Sequence, residues 1–184
     1  MTTHTPGADM EYTPQAITEA YGPTGRMLLK LSKSVAIAGG LIFVVLVIMS
    51  IVSIVGRKLF NHVVPGDFEL LQMGAAFASA TFFAYCHMIH GDVKVDFFTQ
   101  WLNPRKVATL DAMGSLLIGL FGALIAWRTA VGAVSLHETH ETSMILGWPI
   151  WVAQALMVPG FVLMSVVGFY MCAHLLRFAA GSLK

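Results

Sequence analysis

Apolar residues along this chain fall into four long runs, separated by short stretches where charges, prolines and glycines gather. The first run is the cleanest: residues 34–56 pass without one charged side chain. About 20 residues at 1.5 Å rise cross the roughly 30 Å hydrocarbon core of a bilayer. The run therefore predicts a transmembrane helix over about 35–55, entered through Arg26, Lys30 and Lys33 and left through Arg57 and Lys58. The next runs predict spans over about 70–89, 107–134 and 150–176, the last starting just after Trp148-Pro149. At about 40 Å if wholly helical, the fourth is longer than the core. With Pro159-Gly160 inside it, a kink, a tilt or an extension beyond the bilayer is expected.

The polar stretches add detail. Pro65-Gly66 should end one helix and Asp67 cap the next, with Glu69 in its first turn favoured by the helix dipole. Residues 95–103 segregate on a helical wheel: Val95, Phe97, Phe98, Trp101 and Leu102 share one arc, and Asp96, Thr99, Gln100 and Asn103 the other. The segment is too short to span and predicts an interfacial amphipathic helix. Residues 1–26 are polar, carry Pro6, Pro14 and Pro23, and read as a flexible tail rather than a cleavable signal peptide. The expected fold is an all-α integral membrane protein. Its transmembrane domain, 27–184, has four transmembrane helices and a short interfacial helix between the second and third.

Composition agrees. The chain is 57% hydrophobic and 11% charged, against about 25% charged in a soluble domain. That excludes an ordinary soluble enzyme, and a net charge of +1 without a basic patch gives no footprint for nucleic acid. Cys86 and Cys172 lie in apolar runs without a CxxC partner and read as small hydrophobes. With the amino terminus inside, Arg26, Lys30, Lys33, Lys94, Arg105, Lys106, Arg177 and Lys184 are cytoplasmic, and Arg57, Lys58 and Arg128 face the other side. The positive-inside rule thus predicts both termini in the cytoplasm, with a bacterial inner membrane as the natural setting.

In lipid, helices associate through small residues that allow close approach. The second run offers Gly74, Ala75, Ala76, Ala78, Ser79 and Ala80, and the third Ser115/Gly119, Gly119/Ala123 and Gly122/Ala126. These predict tight helix contacts, within this chain or with another subunit. Candidate chemistry is sparse. Arg57 and Glu69 flank the first turn and are expected to pair with each other or with a partner protein; independent snorkelling to headgroups is the alternative. His137-Glu138-Thr139-His140-Glu141 has paired histidines but no third ligand of fixed spacing, and reads as a solvated loop. His87 and His174 leave a haem open, with both near one membrane face. A proton-coupled exporter needs a carboxylate within a span, and the first span, the second after Glu69 and the fourth carry none, so that class fits poorly; a quinone-linked thiol oxidase needs paired reactive cysteines, which are missing.

Gly56-Arg-Lys-Leu-Phe-Asn61 followed by Val64-Pro-Gly-Asp-Phe-Glu69-Leu70 resembles the small membrane subunit of tripartite ATP-independent periplasmic (TRAP) transporters. His90-Gly-Asp-Val-Lys-Val-Asp96 is similar to the stretch before that family's interfacial helix, and Glu141 to Trp151, with Trp148-Pro149-Ile150-Trp151, to the segment before its fourth helix. The resemblance implies a non-enzymatic subunit without cofactor, substrate or metal ligands of its own. It would brace a large elevator-type membrane subunit for sodium-coupled uptake of an organic acid, a carboxylate, delivered by a periplasmic binding protein. On this reading Arg57, Asn61 and Glu69 fix the first turn, and Phe98 and Trp101 anchor the interfacial helix in membrane lipid. Gly74, Ala78, Gly119, Trp148, Pro149 and Trp151 pack against a partner or fix the fourth helix. An orphan membrane anchor or assembly factor, and a haem or quinone redox subunit, stay open as alternatives.

Overall fold

The structure, a computed structural model, describes residues 21–60, 65–91 and 104–180. Among them are four helices: α1 (Pro23–Phe60), α2 (Asp67–Met88), α3 (Pro104–Glu138) and α4 (Ile150–Ala179). The interfacial helix expected at 95–103, with Phe98 and Trp101, lies outside the described residues, as does Asn61. Among the described residues, three helical segments are long and apolar enough to cross a bilayer: Pro23–Phe60, Lys106–Glu138 and Ile150–Ala179. The remaining expected span, the second (about 70–89), corresponds to α2. Its 22 residues reach about 33 Å, but Gln72, Tyr85 and His87 fall within the run, with few large aliphatic side chains to offset them, and lower its apolarity.

Helix α1 is much longer than its apolar run. Its 38 residues extend about 57 Å, starting at Pro23, inside the segment expected to be tail. Proline stops a helix from within but suits its first position, where its missing N–H would be unpaired anyway. Two residues before this start, Tyr21 packs into the helices. Tyr21 is 2% exposed; its hydroxyl donates to the Met88 carbonyl (2.9 Å) and contacts the Met171 sulfur (3.0 Å). Its ring meets Tyr170 and His174 edge-on. At the other hairpin, α3 runs through His137 and Glu138 instead of fraying into a loop. It ends where His140 adopts a left-handed conformation (φ 53°) and the Thr139 hydroxyl donates back to the Ser135 carbonyl.

The helices pack in the order α1–α2–α4–α3, with α3 on α4 the most extensive contact and α1 and α3 at opposite edges. Large apolar side chains point outward along both edge helices, among them Leu41, Val45 and Ile48 on α1 and Leu117, Phe121 and Leu124 on α3. The contacts between helices are made by small residues. On α1 the buried Gly25, Ser32, Gly39, Leu46 and Ser53 repeat every seven positions, the period of a left-handed crossing. Leu46 fills the notch at Gly74, where a Cβ would lie 2.6 Å from its Cδ1. Ala78 is fully buried beside Gly39. Gly160, next to Pro159 in α4, sits against the Ala80 carbonyl of α2. The tightest backbone-on-backbone approach is between α3 and α4: a Cβ on Gly168 would stand 2.6 Å from the Gly119 nitrogen. The Ser165 hydroxyl donates to the Gly119 carbonyl across the same contact (3.0 Å). Gly74, Ala78 and Gly119 thus form contacts within the chain, whereas Ala123, expected to pair with Gly119, is exposed.

Two glycines on α3 and α4 separate packing from helix propensity. Gly168→Ala drives a methyl into the α3 backbone, and overpacking of this kind costs about 1–3 kcal/mol. At Gly114 a Cβ meets nothing within 4 Å, so Gly114→Ala should be neutral or stabilising by up to about 1 kcal/mol. Thermal unfolding of the purified chain in detergent should therefore show a lower midpoint for Gly168→Ala and an equal or higher one for Gly114→Ala.

Candidate functional site

The chain's polar side chains converge at one end of the helix row, where α1 meets α2 and α3 meets α4. Between the first pair, Gly66 takes a left-handed conformation (φ 74°) and precedes the first residue of α2. Only glycine adopts this without strain, and the space a Cβ would need is taken by the Leu146 side chain from the other hairpin. Gly66, not Asp67, occupies the cap position. Asp67 turns back instead: it accepts from the Ser53 hydroxyl of α1 and from its neighbour Phe68 N–H (2.7 Å). The Arg57 guanidinium lies 3.6 Å from the same carboxylate. The arginine expected to pair with Glu69 or a partner protein thus pairs with Asp67.

Glu69 faces the other way. Its carboxylate accepts from the Ser143 hydroxyl, the Ile145 N–H (3.1 Å) and the Leu146 N–H (3.3 Å), all in the turn between α3 and α4. That turn is itself closed. Ser143 N–H donates to the Trp148 carbonyl (2.8 Å), Gly147 N–H to the Ser143 carbonyl (3.1 Å), and Thr142 bridges Pro149. Gly147 supplies the left-handed residue (φ 65°) that the reversal needs. One carboxylate therefore joins the α1–α2 hairpin to the α3–α4 hairpin. The Ser143 hydroxyl, followed by the Ile145 and Leu146 amides, holds Glu69 below the ordinary carboxylate range. Asp67 is lowered chiefly by Ser53, with Phe68 N–H and Arg57 adding to it.

The other sequence candidates fall around this staple. Pro149 is the cap residue of α4, with extended backbone (ψ 116°). Trp151 is half-buried, with the His137 ring edge-on to it at 4.9 Å. Trp148 contributes its carbonyl to the turn and leaves its indole exposed. His137 and His140 are 6.3 Å apart between ring centres, and among the described residues no three His, Cys, Asp or Glu side chains group as metal ligands. At the opposite end His87 and His174 are both buried. His174 stacks on Tyr170 and meets Tyr21 edge-on, so protein rings occupy its flanks. The residues that sequence reasoning passed over are Ser53, Ser143 and Tyr21, each an ordinary polar or aromatic residue in its local context.

The sequence pattern of the DctQ component of tripartite ATP-independent periplasmic transporters matches residues 43–178, from the middle of α1 to the last turn of α4. No curated protein and no solved structure matches the chain.

Because its folded pKa lies below the ordinary 4.5, Glu69 contributes its stabilisation fully above that value and loses it as the pH falls through the lowered one. Protection of the Ile145 and Leu146 amides, taken as exchange relative to the intrinsic rate at each pH, should hold from neutral pH down to about 4.5 and fall only below it. Glu69→Gln should give several-fold faster exchange at the same two amides already at pH 7, while amides in the middle of α4 keep their protection.

Proposed function

Because this chain belongs to the DctQ-component family of tripartite ATP-independent periplasmic transporters, we propose that it braces the stationary part of a large, elevator-type membrane subunit. The complex would carry an organic acid, a carboxylate, inward with sodium after a periplasmic binding protein delivers it. All four helices, α2 included, would cross the bacterial inner membrane, with both termini in the cytoplasm. What supports this reading is the distribution of chemistry along the row. The two carboxylates at the outer staple, Asp67 and Glu69, are spent on internal hydrogen bonds. The lengths between the helix ends present apolar side chains outward. Such a body offers a solute little to bind, and offers lipid and protein neighbours a wide, stiff flank.

An elevator moves its substrate site across the bilayer while its frame stays still. A frame widened by an open row of helices, joined end to end by Glu69, resists being dragged along. Substrate selection would then lie in the other two proteins, and this chain would affect the rate of uptake without changing which acid is taken.

Deletion of the chain should reduce sodium-driven uptake to background while the binding protein still captures its ligand from solution. Uptake at the normal rate by the large subunit and binding protein alone would contradict an essential bracing role.

A further inference from the structure

We propose that the turn between α3 and α4, residues 143–149, is an interfacial wedge that seats Met144, Ile145 and Trp148 in the headgroup–acyl boundary of the bilayer. The three side chains are exposed, Met144 at 99%. Their exposure is built in, because the backbone beneath them is held by the Ser143–Trp148 and Gly147–Ser143 hydrogen bonds and by the Glu69 carboxylate. Depth follows from the same staple. Helix α2 is 22 residues, about 33 Å, against a hydrocarbon core of about 30 Å. If α2 crosses the bilayer, its first turn lies at one boundary, and whatever Glu69 holds lies there too.

The neighbouring surface fits lipid at that level better than a protein docking face. Leu59 and Phe60 at the end of α1, and Phe68 in the first turn of α2, are each more than 70% exposed at this end of the row. Arg57 and Lys58 stand among them. Mixed aromatic, aliphatic and cationic side chains from separate segments match the headgroup layer, where indole rings settle and basic side chains reach phosphate. Protein interfaces share the aromatic, Met and Arg content of this patch but are depleted in Lys, and Lys58 stands within it. The wedge would add a lateral anchor at one end of the row and fix its depth independently of the transport role.

Nitroxide labels test this on the full chain with Cys86→Ala and Cys172→Ala, reconstituted in vesicles of phosphatidylethanolamine and phosphatidylglycerol. Labels at Ile145→Cys and Trp148→Cys should collide more with oxygen than with a water-soluble nickel chelate, by a smaller margin than a label at Ser79→Cys in the middle of α2. Access by the nickel chelate alone would place the turn in water, and access by neither would place it under protein; either result overturns the wedge. An aqueous signal at Ser79 removes the depth argument and overturns it as well. An oxygen-dominated signal at Ser79 combined with an aqueous one at 145 and 148 defeats the wedge while leaving the span of α2 intact.

Discussion

A carboxylate lodged between two helical hairpins needs hydrogen-bond donors, and Glu69 takes its donors from a segment 74 or more residues away in the chain. The rest of the architecture depends on this exchange. An α1–α2 hairpin and an α3–α4 hairpin, left to side-chain packing alone in lipid, lack the hydrophobic drive that joins helices in water. By accepting from Ser143, Ile145 and Leu146, Glu69 fixes the level of one hairpin against the other. Asp67 does the same between α1 and α2 through Ser53 and Arg57. At the opposite end Tyr21 links the start of α1 to the ends of α2 and α4. Helices α1, α2 and α4 are therefore tied at both ends, and the small residues between set how closely the helices approach.

That close approach has a structural consequence. Where Gly168 meets Gly119 and Gly160 meets Ala80, backbones touch without intervening side chains. The large residues displaced from these contacts point outward along the edge helices. A row built this way has much perimeter and little core. Stiffness in such a row comes from interlocked backbone, and the outer faces are left for lipid and neighbouring protein.

Much of this was legible in the sequence, and the exceptions have physical reasons. Uncharged length announces a span, so α1, α3 and α4 were visible, and the density of glycine and alanine in α2 and α3 marked where helices would touch. In α2 Gln72, Tyr85 and His87 interrupt the apolar run, so its membrane signature is weaker than that of the other helices. Pro23 looked like tail because proline's effect depends on whether it stands first in a helix or within one. Asp67 and Glu69 are two positions apart, which turns their side chains about 200° from each other; one carboxylate can face Arg57 and the other cannot, and local sequence does not say which. Ser143 looked like any serine in a polar turn. Its role exists only once the two hairpins are side by side.

The central claim is that the row behaves as one stiff body while its neighbour moves. Spin labels at Ile48→Cys on α1 and Leu124→Cys on α3, with Cys86 and Cys172 replaced, report the width of the row by pulsed dipolar spectroscopy in the assembled transporter. The account predicts one narrow distance distribution that is the same with and without sodium and the loaded binding protein. A second distance, or a shift that follows the transport cycle, would show the row flexing with the elevator and would contradict it.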